Sequence, residues 1–368
     1  MDLANFAVKR NSTIRLALEP RGSLSRTIAL SAALIILAIT GVCVARAGAQ
    51  QQSSQQQQSS QQKLPPLSQA PPPPPSPSTP GKQGPGFKID VDLVALHAAV
   101  LDKRGVFVDG LPADAFKVYE DKVLQKLSVA KQEDVPVSMG LVIDNSGSMF
   151  SKRAKVNAAA LTFVKTSNPE DEAFVVNFND DYYLDTEHDF TSSITEMKEA
   201  LERIDARGST ALYDAIIGSL DHLKKAHRDK RVLLVITDGM DNASRHTLTE
   251  TINEVQHSDA VIYTVGLFGK EDKGAVSRKA RKALTDLADA TGGLAFFPEA
   301  VEDTESICTE IAHDIRNQYT LAYYPTHFER DGTFRTVQVA VTNPKGGGKL
   351  TVRTRSGYYA KTATKATK

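Results

Sequence analysis

The chain has 368 residues, of which 41% are hydrophobic and 24% are charged, so it is long enough to form one or two hydrophobic cores. Lysine plus arginine and aspartate plus glutamate both number 44. Because nucleic-acid-binding proteins usually carry a basic excess, this balance argues against a nucleic-acid partner.

The first 49 residues have the pattern of an export signal. Basic residues between Lys9 and Arg26 precede an apolar stretch at 28–45, and the small residues Ala-Gly-Ala follow at 47–49, at the spacing that a signal peptidase recognises. A stretch of this length also lies at the lower limit for crossing a bilayer. Residues 1–49 are therefore predicted to be a cleaved signal peptide or an uncleaved membrane anchor. Both alternatives place the rest of the chain outside the cytoplasm, either secreted, periplasmic or anchored.

Residues 50–86 are of low complexity, with runs of glutamine and serine followed by a proline-rich half. Such a segment has too few apolar side chains to offset the entropy of ordering it. It is predicted to be a disordered linker whose proline-rich half favours an extended polyproline II conformation. A ligand for a proline-binding domain is the alternative, but an exported location favours a spacer.

The segments on either side of residues 135–317 show the period-two alternation of short β-strands. In 87–134, apolar and polar residues alternate in several stretches, beginning at 89–93. In 318–360, the stretches YTLAYYP, FRTVQVAV and LTVRTRSGYYA have the same pattern. Because each segment has too few strands to close a sandwich by itself, the two are predicted to pair into one small β-sandwich. Residues 361–368 are predicted to be a disordered tail.

The region between these segments alternates apolar runs with helical periods. The apolar runs predict strands at Val137–Ile143, Ala173–Phe178, Arg231–Thr237, Ala260–Leu267 and Leu294–Pro298. The periodic stretches predict helices near Lys152–Thr166, Ser192–Ile204, Ala211–Ala226, Thr247–Ser258, Arg278–Thr291 and Thr304–Asn317. Strands that are apolar on both faces and alternate with helices predict a doubly wound, mainly parallel α/β sheet with helices on both faces. Such sheets bind ligands at the carboxyl ends of their strands.

Oxygen-bearing side chains follow two of these strands. The first strand leads to Asp144, and Ser146 and Ser148 come after it, before the next helix. Asp238 follows another strand, and Thr210 lies at the head of a helix. Two carboxylates and three hydroxyls, without nitrogen or sulfur, predict a site for a hard divalent cation, Mg²⁺ or Mn²⁺, rather than Zn²⁺. Two acidic charges and an incomplete octahedron would favour a further carboxylate from outside the chain.

Asp144-x-Ser146-x-Ser148, Thr210 and Asp238 resemble, in order and spacing, the five-part metal-ion-dependent adhesion site of von Willebrand factor A domains. The flanking stretches VDLVALHAAVLDKRG, FKVYEDKV and SGYYA are similar to those of a bacterial exported group of A-domain-related proteins. For Asp144 considered by itself, helix capping is an equal alternative, whereas five elements in order favour metal binding.

The resemblance implies that Ser146 and Ser148 bind the metal directly, and that Thr210 and the two aspartates bind it directly or through water. It also implies that the ion bridges to a carboxylate of a protein partner, and that the last helix, near Thr304–Asn317, shifts with occupancy. Residues 149–153 lack the acidic pair that builds an adjacent second metal site in integrin β domains. One ion, Mg²⁺ or Mn²⁺, is therefore expected.

Three classes of enzyme do not fit the sequence. An aspartyl-phosphate phosphatase needs a second acid two residues after its nucleophile, and here that position is Ser146. The first strand is not followed by the GxGxxG loop of a dinucleotide site, and NSGSM does not supply the GxSxG elbow of a serine hydrolase. The chain is therefore expected not to be an enzyme.

Two functions remain for the exported part of the chain. The first is a metal-dependent adhesion or recognition module that binds a protein partner, with the membrane involved only through an N-terminal anchor. The second is a structural scaffold of the cell envelope whose metal site is not adhesive. Asp241 and Asn242 are predicted to be turn residues, with a supporting contact to the metal site as the alternative.

Overall fold

The structure is a computed structural model, and it describes residues 92–362 except 204, 270–273, 345 and 347. The predicted export signal, the predicted linker and residues 363–368 lie outside the described residues. Most of the apolar–polar alternation at 89–93 also lies outside them. No helix in the described part of the chain is long and apolar enough to cross a membrane.

Within residues 92–362, as far as the structure describes them, strands alternate with helices in the middle and occur without α-helices towards both ends. The strands are β1 (Val94–Leu101), β2 (Phe116–Glu120), β3 (Val123–Gln125), β4 (Leu127–Gln132), β5 (Val137–Asp144), β6 (Glu172–Phe178), β7 (Tyr182–Leu184), β8 (Lys230–Thr237), β9 (Val261–Gly266), β10 (Ala295–Phe296), β11 (Tyr319–Tyr323), β12 (Phe334–Val341), β13 (Thr351–Arg353) and β14 (Gly357–Tyr359). The α-helices are α1 (Arg153–Lys165), α2 (Ile194–Glu202), α3 (Leu212–Leu223), α4 (Leu248–His257), α5 (Ala275–Asp289) and α6 (Thr304–Arg316). Short 3₁₀ turns occur at Ala113–Ala115, Gly147–Met149 and Val301–Asp303.

The central sheet has six strands in the order β10-β9-β8-β5-β6-β7. All neighbours are parallel except β7, which runs antiparallel to β6. Residues of α1, α2 and α6 form a core on one face of this sheet, and residues of α3, α4 and α5 form a core on the other. The predicted doubly wound, mainly parallel α/β sheet is therefore confirmed.

β5 lies in the middle of the sheet, and every one of its residues is buried. Met139, Leu141 and Ile143 point into the first core, where they join Phe163 of α1, whereas Val142 belongs to the second core. Burial on both faces explains why this strand is a continuous apolar run rather than an alternating one. It also means that any polar group at its end enters the interior of the domain.

Both edge strands of the sheet differ from the sequence-based prediction. β7 was not among the predicted strands, because it has only three residues and all of them are exposed, although they are hydrophobic by type. β10 pairs with β9 only at Ala295 and Phe296, so the strand predicted over Leu294–Pro298 is shorter. Proline lacks a backbone N–H and cannot extend the ladder, which is consistent with an early end before Pro298.

The two end segments interleave in a β-sandwich. One sheet has the order β13-β1-β11-β4 and the other β14-β12-β2-β3, so each contains strands from before and after the central domain. Between the sheets, Leu96, Val118 and Leu321 form a third core with their neighbours. The predicted pairing of the two end segments is confirmed, since β11 lies between β1 and β4.

The stretch LTVRTRSGYYA, whose alternation predicts β-structure, forms two short strands. β13 pairs with β1 in one sheet, and β14 pairs with β12 in the other, so the chain changes sheets between them. Arg355 stabilises this crossing: its guanidinium donates to the carbonyl oxygens of Gly357 and Gln256, each at 2.8 Å. Because Arg355 and Gln256 lie about a hundred residues apart in sequence, no local sequence pattern predicts this change of sheet.

A buried polar network joins the central domain to the sandwich. The Asp314 carboxylate on α6 accepts hydrogen bonds from the Tyr263 hydroxyl on β9 at 2.6 Å and from the Arg353 guanidinium on β13 at 2.5 Å. Gln318 donates in turn to the Tyr263 oxygen at 3.0 Å. The Asp314 side chain is 1% exposed, so its charge depends on these partners.

We expect Asp314→Ala to lower the free energy of unfolding by about 3 kcal/mol, because it leaves the largely buried Arg353 guanidinium without its counter-charge. The measurement is urea denaturation followed by circular dichroism. Asp286→Ala is the control, since Asp286 pairs with the exposed Lys282 and its loss should cost less than about 1 kcal/mol. Equal effects of the two substitutions would contradict a structural role for the Asp314 network.

Candidate metal centre

Three loops meet at the carboxyl edge of the central sheet. The first follows β5, the second precedes α3 and the third follows β8, the neighbour of β5. Backbone hydrogen bonds join the first two loops: Gly147 N donates to the Gly208 carbonyl at 3.1 Å, and Arg207 N donates to the Asn145 carbonyl at 2.8 Å. Gly208 has a φ of +77° and lies against the Asp180 carboxylate, so a side chain there would be both strained and obstructed.

Asp144 is fully buried at the end of β5. One carboxylate oxygen accepts the backbone N–H of Ser146 at 2.8 Å, and the other accepts the Thr237 hydroxyl at 2.5 Å. Burial raises the pKa of Asp144 to about 6, with a further contribution from the charge of Asp238, although the hydrogen bonds from Thr237 and Ser146 act to lower it. The two hydrogen bonds therefore orient the carboxylate without fully offsetting the cost of its charge.

A chain of hydrogen bonds continues from Ser146 to Asp238. The hydroxyl oxygens of Ser146 and Ser148 lie 3.2 Å apart, and the Ser148 hydroxyl donates to Asp238 Oδ1 at 2.6 Å. Asp238 Oδ2 accepts from the Lys152 ammonium at 2.5 Å. The Asp238 side chain is only 1% exposed, whereas Ser148 is exposed to solvent. The cluster is thus buried at its aspartates and open at Ser148.

Thr210 is the fifth predicted site residue, and it lies against the loop after β8. A Cβ at Gly239, the residue after Asp238, would be 3.5 Å from the Thr210 hydroxyl oxygen. The Thr210 amide donates to Asn242 Oδ1 at 2.8 Å, and its carbonyl accepts the backbone N–H of Asn242 at 3.0 Å. Asn242 therefore connects the second and third loops.

The structure also gives Asp241 a supporting role. Its carboxylate accepts the Tyr213 amide at 3.1 Å, near the start of α3, and the Ser244 hydroxyl at 2.5 Å. Both Asp241 and Asn242 thus hold the loop after β8 to the head of α3. The sequence-based prediction missed two residues of the cluster, Thr237 and Lys152. The position of Thr237 could have been recognised from the sequence, since Thr237 is the last residue of β8, the strand next to β5.

The donor set of this cluster fits a hard divalent cation. Its side chains offer two carboxylates and three hydroxyls, the oxygen ligands that Mg²⁺ and Mn²⁺ prefer. One of the carboxylates, Asp238, already binds a cationic group, and the other, Asp144, carries a charge that burial disfavours. A divalent ion held by these residues would compensate both carboxylates, so the residues present match the implied metal.

A second group of ligand atoms lies on the exposed loop between β11 and β12. His327, Glu329 and Asp331 each bring one such atom within 4.8 Å of the others. The Asp331 carboxylate is already bonded to the Arg335 guanidinium at 3.1 Å and to the Thr333 amide at 2.9 Å. A guanidinium at this carboxylate opposes a second cation, so we assign no metal site there.

Residues 139–240 match the family model described as von Willebrand factor type A domain. The match runs from β5 to the loop after β8 and includes all five predicted site residues. The chain therefore contains a von Willebrand factor type A domain. No curated protein matches the chain significantly.

Several solved structures are similar to parts of the chain. The vWF domain of the type V pili tip protein Mfa5 from Porphyromonas gingivalis is 13% identical, with 50% of this chain and 95% of that chain covered and a TM-score of 0.42. A von Willebrand factor type A protein from Catenulispora acidiphila is 14% identical, with 75% of each chain covered and a TM-score of 0.44. The PilB minor pilin from Streptococcus sanguinis is 12% identical, with 51% of this chain and 63% of that chain covered and a TM-score of 0.39. At these levels of similarity, none of them bears on what this chain does.

We expect Asp144→Asn to stabilise the metal-free protein at pH 7. The pKa of Asp144 is raised in the folded state, so between about pH 4 and pH 6 the Asp144 carboxyl is protonated in the folded protein but ionised in the unfolded chain. The free energy of unfolding therefore falls as the pH rises through this range. The full penalty above pH 6 amounts to about 3 kcal/mol, which the neutral amide avoids. The measurement is urea denaturation in EDTA at several pH values.

The difference between wild type and Asp144→Asn should disappear as the pH approaches 4. Asp286→Asn, at an exposed ion pair, is the control and should show a small and nearly constant difference. A stabilisation by Asp144→Asn that is equally large at pH 4 and pH 7 would show that the buried charge is not its cause.

Proposed function

We propose that this chain is an extracytoplasmic protein-recognition module in which one Mg²⁺ or Mn²⁺ ion binds a carboxylate of a protein partner. Asp144, Ser146, Ser148, Thr210 and Asp238 would hold the ion. The observation that carries the proposal is the short chain of oxygen atoms from Ser146 through Ser148 to Asp238, at the carboxyl edge of a von Willebrand factor type A domain. Partner recognition by metal is consistent with the interaction role of such domains.

Each group in the cluster has a distinct task in this proposal. The Ser146 and Ser148 hydroxyls would bind the ion directly, and Thr237 and the Ser146 amide would keep the Asp144 carboxylate oriented. When bound, the ion would act as a Lewis acid that accepts one more oxygen ligand. Because Ser148 is exposed, a partner can approach from solvent at that side of the cluster.

Phe150 adds an apolar group beside this opening. It follows the 3₁₀ turn that carries Ser148, and its side chain is 78% exposed. Aromatic side chains are enriched in protein–protein interfaces, so Phe150 would add apolar contact area for a protein partner at this side of the cluster.

We further propose that the chain is not an enzyme and that its N-terminal segment places it outside the cytoplasm. The position two residues after Asp144 is a serine, so the second acid of a phosphotransfer site is missing there. A structural envelope scaffold is the second candidate, since the Asp314 network between the domain and the sandwich would suit a load-bearing component. Partner binding that depends on metal separates the two functions.

The full chain should bind one Mg²⁺ per molecule, and Asp144→Ala should bind it at least about tenfold more weakly, because it removes one carboxylate from the cluster. Isothermal titration calorimetry with MgCl₂ measures both the stoichiometry and the dissociation constant. Asp286→Ala keeps the cluster intact and should bind as wild type does. Equal affinities for wild type and Asp144→Ala would refute the assignment of the ligands.

Partner capture tests the function that follows from metal binding. Tagged full-length wild type and Asp144→Ala, both shown to be folded by circular dichroism, are incubated with cell-envelope extract in Mg²⁺ and in EDTA. A protein retained only by wild type in Mg²⁺ supports metal-mediated recognition. A protein retained equally in all four conditions supports the scaffold.

A further inference from the structure

The Lys152 ammonium forms a hydrogen bond to the carboxylate of Asp238, one of the proposed metal ligands. It donates to Asp238 Oδ2 at 2.5 Å, while the other oxygen of the same carboxylate accepts from Ser148. Both oxygens of Asp238 are therefore engaged by groups of its own chain. The pair is asymmetric in exposure: the Lys152 side chain is 29% exposed and the Asp238 side chain 1%.

The backbone does not favour a cation at this position. Lys152 is the N-cap residue of α1, and its amide donates to the Met149 carbonyl at 2.9 Å. The N-terminus of a helix carries a partial positive charge and stabilises anions, and α1 has no acidic residue in its first turn. Asp238 thus holds the Lys152 ammonium in place, although the electric field at the N-terminus of the helix disfavours a cation.

A divalent ion and this ammonium cannot share Asp238 at low cost. Both are compact cations that need the same carboxylate oxygens, and a metal in the cluster would repel the ammonium at short range. The lysine side chain is flexible and already partly exposed, so it has a route to solvent. Asp238 has no such freedom, because it is buried and bonded to Ser148.

We propose that Lys152 is an internal cation that occupies Asp238 when no metal is bound, and that a divalent ion has to displace it to enter the site. The inference rests on the proposed function, since it takes Asp238 as a metal ligand. Lys152 then has two consequences. It keeps the metal-free cluster compensated, and it weakens the affinity for metal by the free energy of its own contact with Asp238.

Lys152→Met should bind Mg²⁺ about tenfold more tightly than wild type, the factor expected when a charge-assisted hydrogen bond of about 1.5 kcal/mol no longer competes. The measurement is isothermal titration calorimetry of the full chain with MgCl₂ and with MnCl₂. Lys155→Met is the matched control. It removes the same charge from the same helix, but Lys155 pairs with the exposed Glu302 and not with the cluster. Its affinity should stay within about twofold of wild type.

Lysine acylation provides a second readout that does not depend on a variant. With sulfo-NHS-acetate and mass spectrometry, acylation of Lys152 in wild type should increase when Mg²⁺ replaces EDTA, because the displaced ammonium becomes free. Acylation of Lys155 serves as the internal reference and should not change. A Lys152 signal that is the same in Mg²⁺ and EDTA, at saturating metal, would overturn the inference.

The outcomes separate this inference from the proposed function. If Asp144→Ala abolishes Mg²⁺ binding but Lys152→Met leaves the affinity unchanged or weakens it, the metal site stands. The proposal that the metal displaces Lys152 is then overturned. An absence of Mg²⁺ and Mn²⁺ binding by wild type, Lys152→Met and Lys155→Met overturns the metal site and the inference with it. Tighter binding by both lysine variants would show a general charge effect and would also overturn the specific competition.

Discussion

Asp144 ends a strand that is buried along its whole length, so its carboxylate enters the domain where water does not reach it. A buried carboxylate is costly unless hydrogen bonds or a cation compensate its charge. Here one backbone amide and the Thr237 hydroxyl supply hydrogen bonds, yet the raised pKa shows that they do not fully compensate. The edge of the sheet is therefore built around an acid that gains from a nearby positive charge.

The loops around this acid are fixed to one another rather than to the sheet alone. Asn242 bonds to the amide of Thr210, and the Gly208 carbonyl accepts the amide of Gly147, so the three loops form one connected surface. Preorganisation of this kind reduces the entropy that a ligand has to overcome on binding. It also explains why hydroxyls and carboxylates from distant parts of the chain can lie within hydrogen-bonding distance.

The β-sandwich is joined to the central domain by a buried polar network. Its sheets take strands from both ends of the described chain, so the central domain is an insertion within the sandwich. Asp314 links the last helix of the domain to Arg353 of the sandwich and to Tyr263 of the central sheet. Unfolding of either part would expose this charge pair, which couples the stability of the two.

Local sequence patterns predicted much of this architecture. The apolar runs and helical periods predicted the parallel sheet, because a strand buried on both faces has to be apolar throughout. The pattern Asp144-x-Ser146-x-Ser148 predicted where oxygen ligands would gather, since it follows such a strand directly. β7 escaped prediction because its three residues are all exposed. The division of LTVRTRSGYYA into β13 and β14 escaped because it depends on a contact with Gln256 far away in sequence.

By itself, the sequence determined the fold class and the chemical nature of the site, because periodicity and residue type are local properties. Only the tertiary structure decided which groups meet at the site. It brings Thr237 to Asp144 and Lys152 to Asp238 across about ninety residues each, and it connects Asn242 to Thr210. Residue spacing cannot predict such contacts, since they arise where neighbouring strands end at one edge of a sheet. The contact between the Lys152 ammonium and the Asp238 carboxylate is a property of that folded edge.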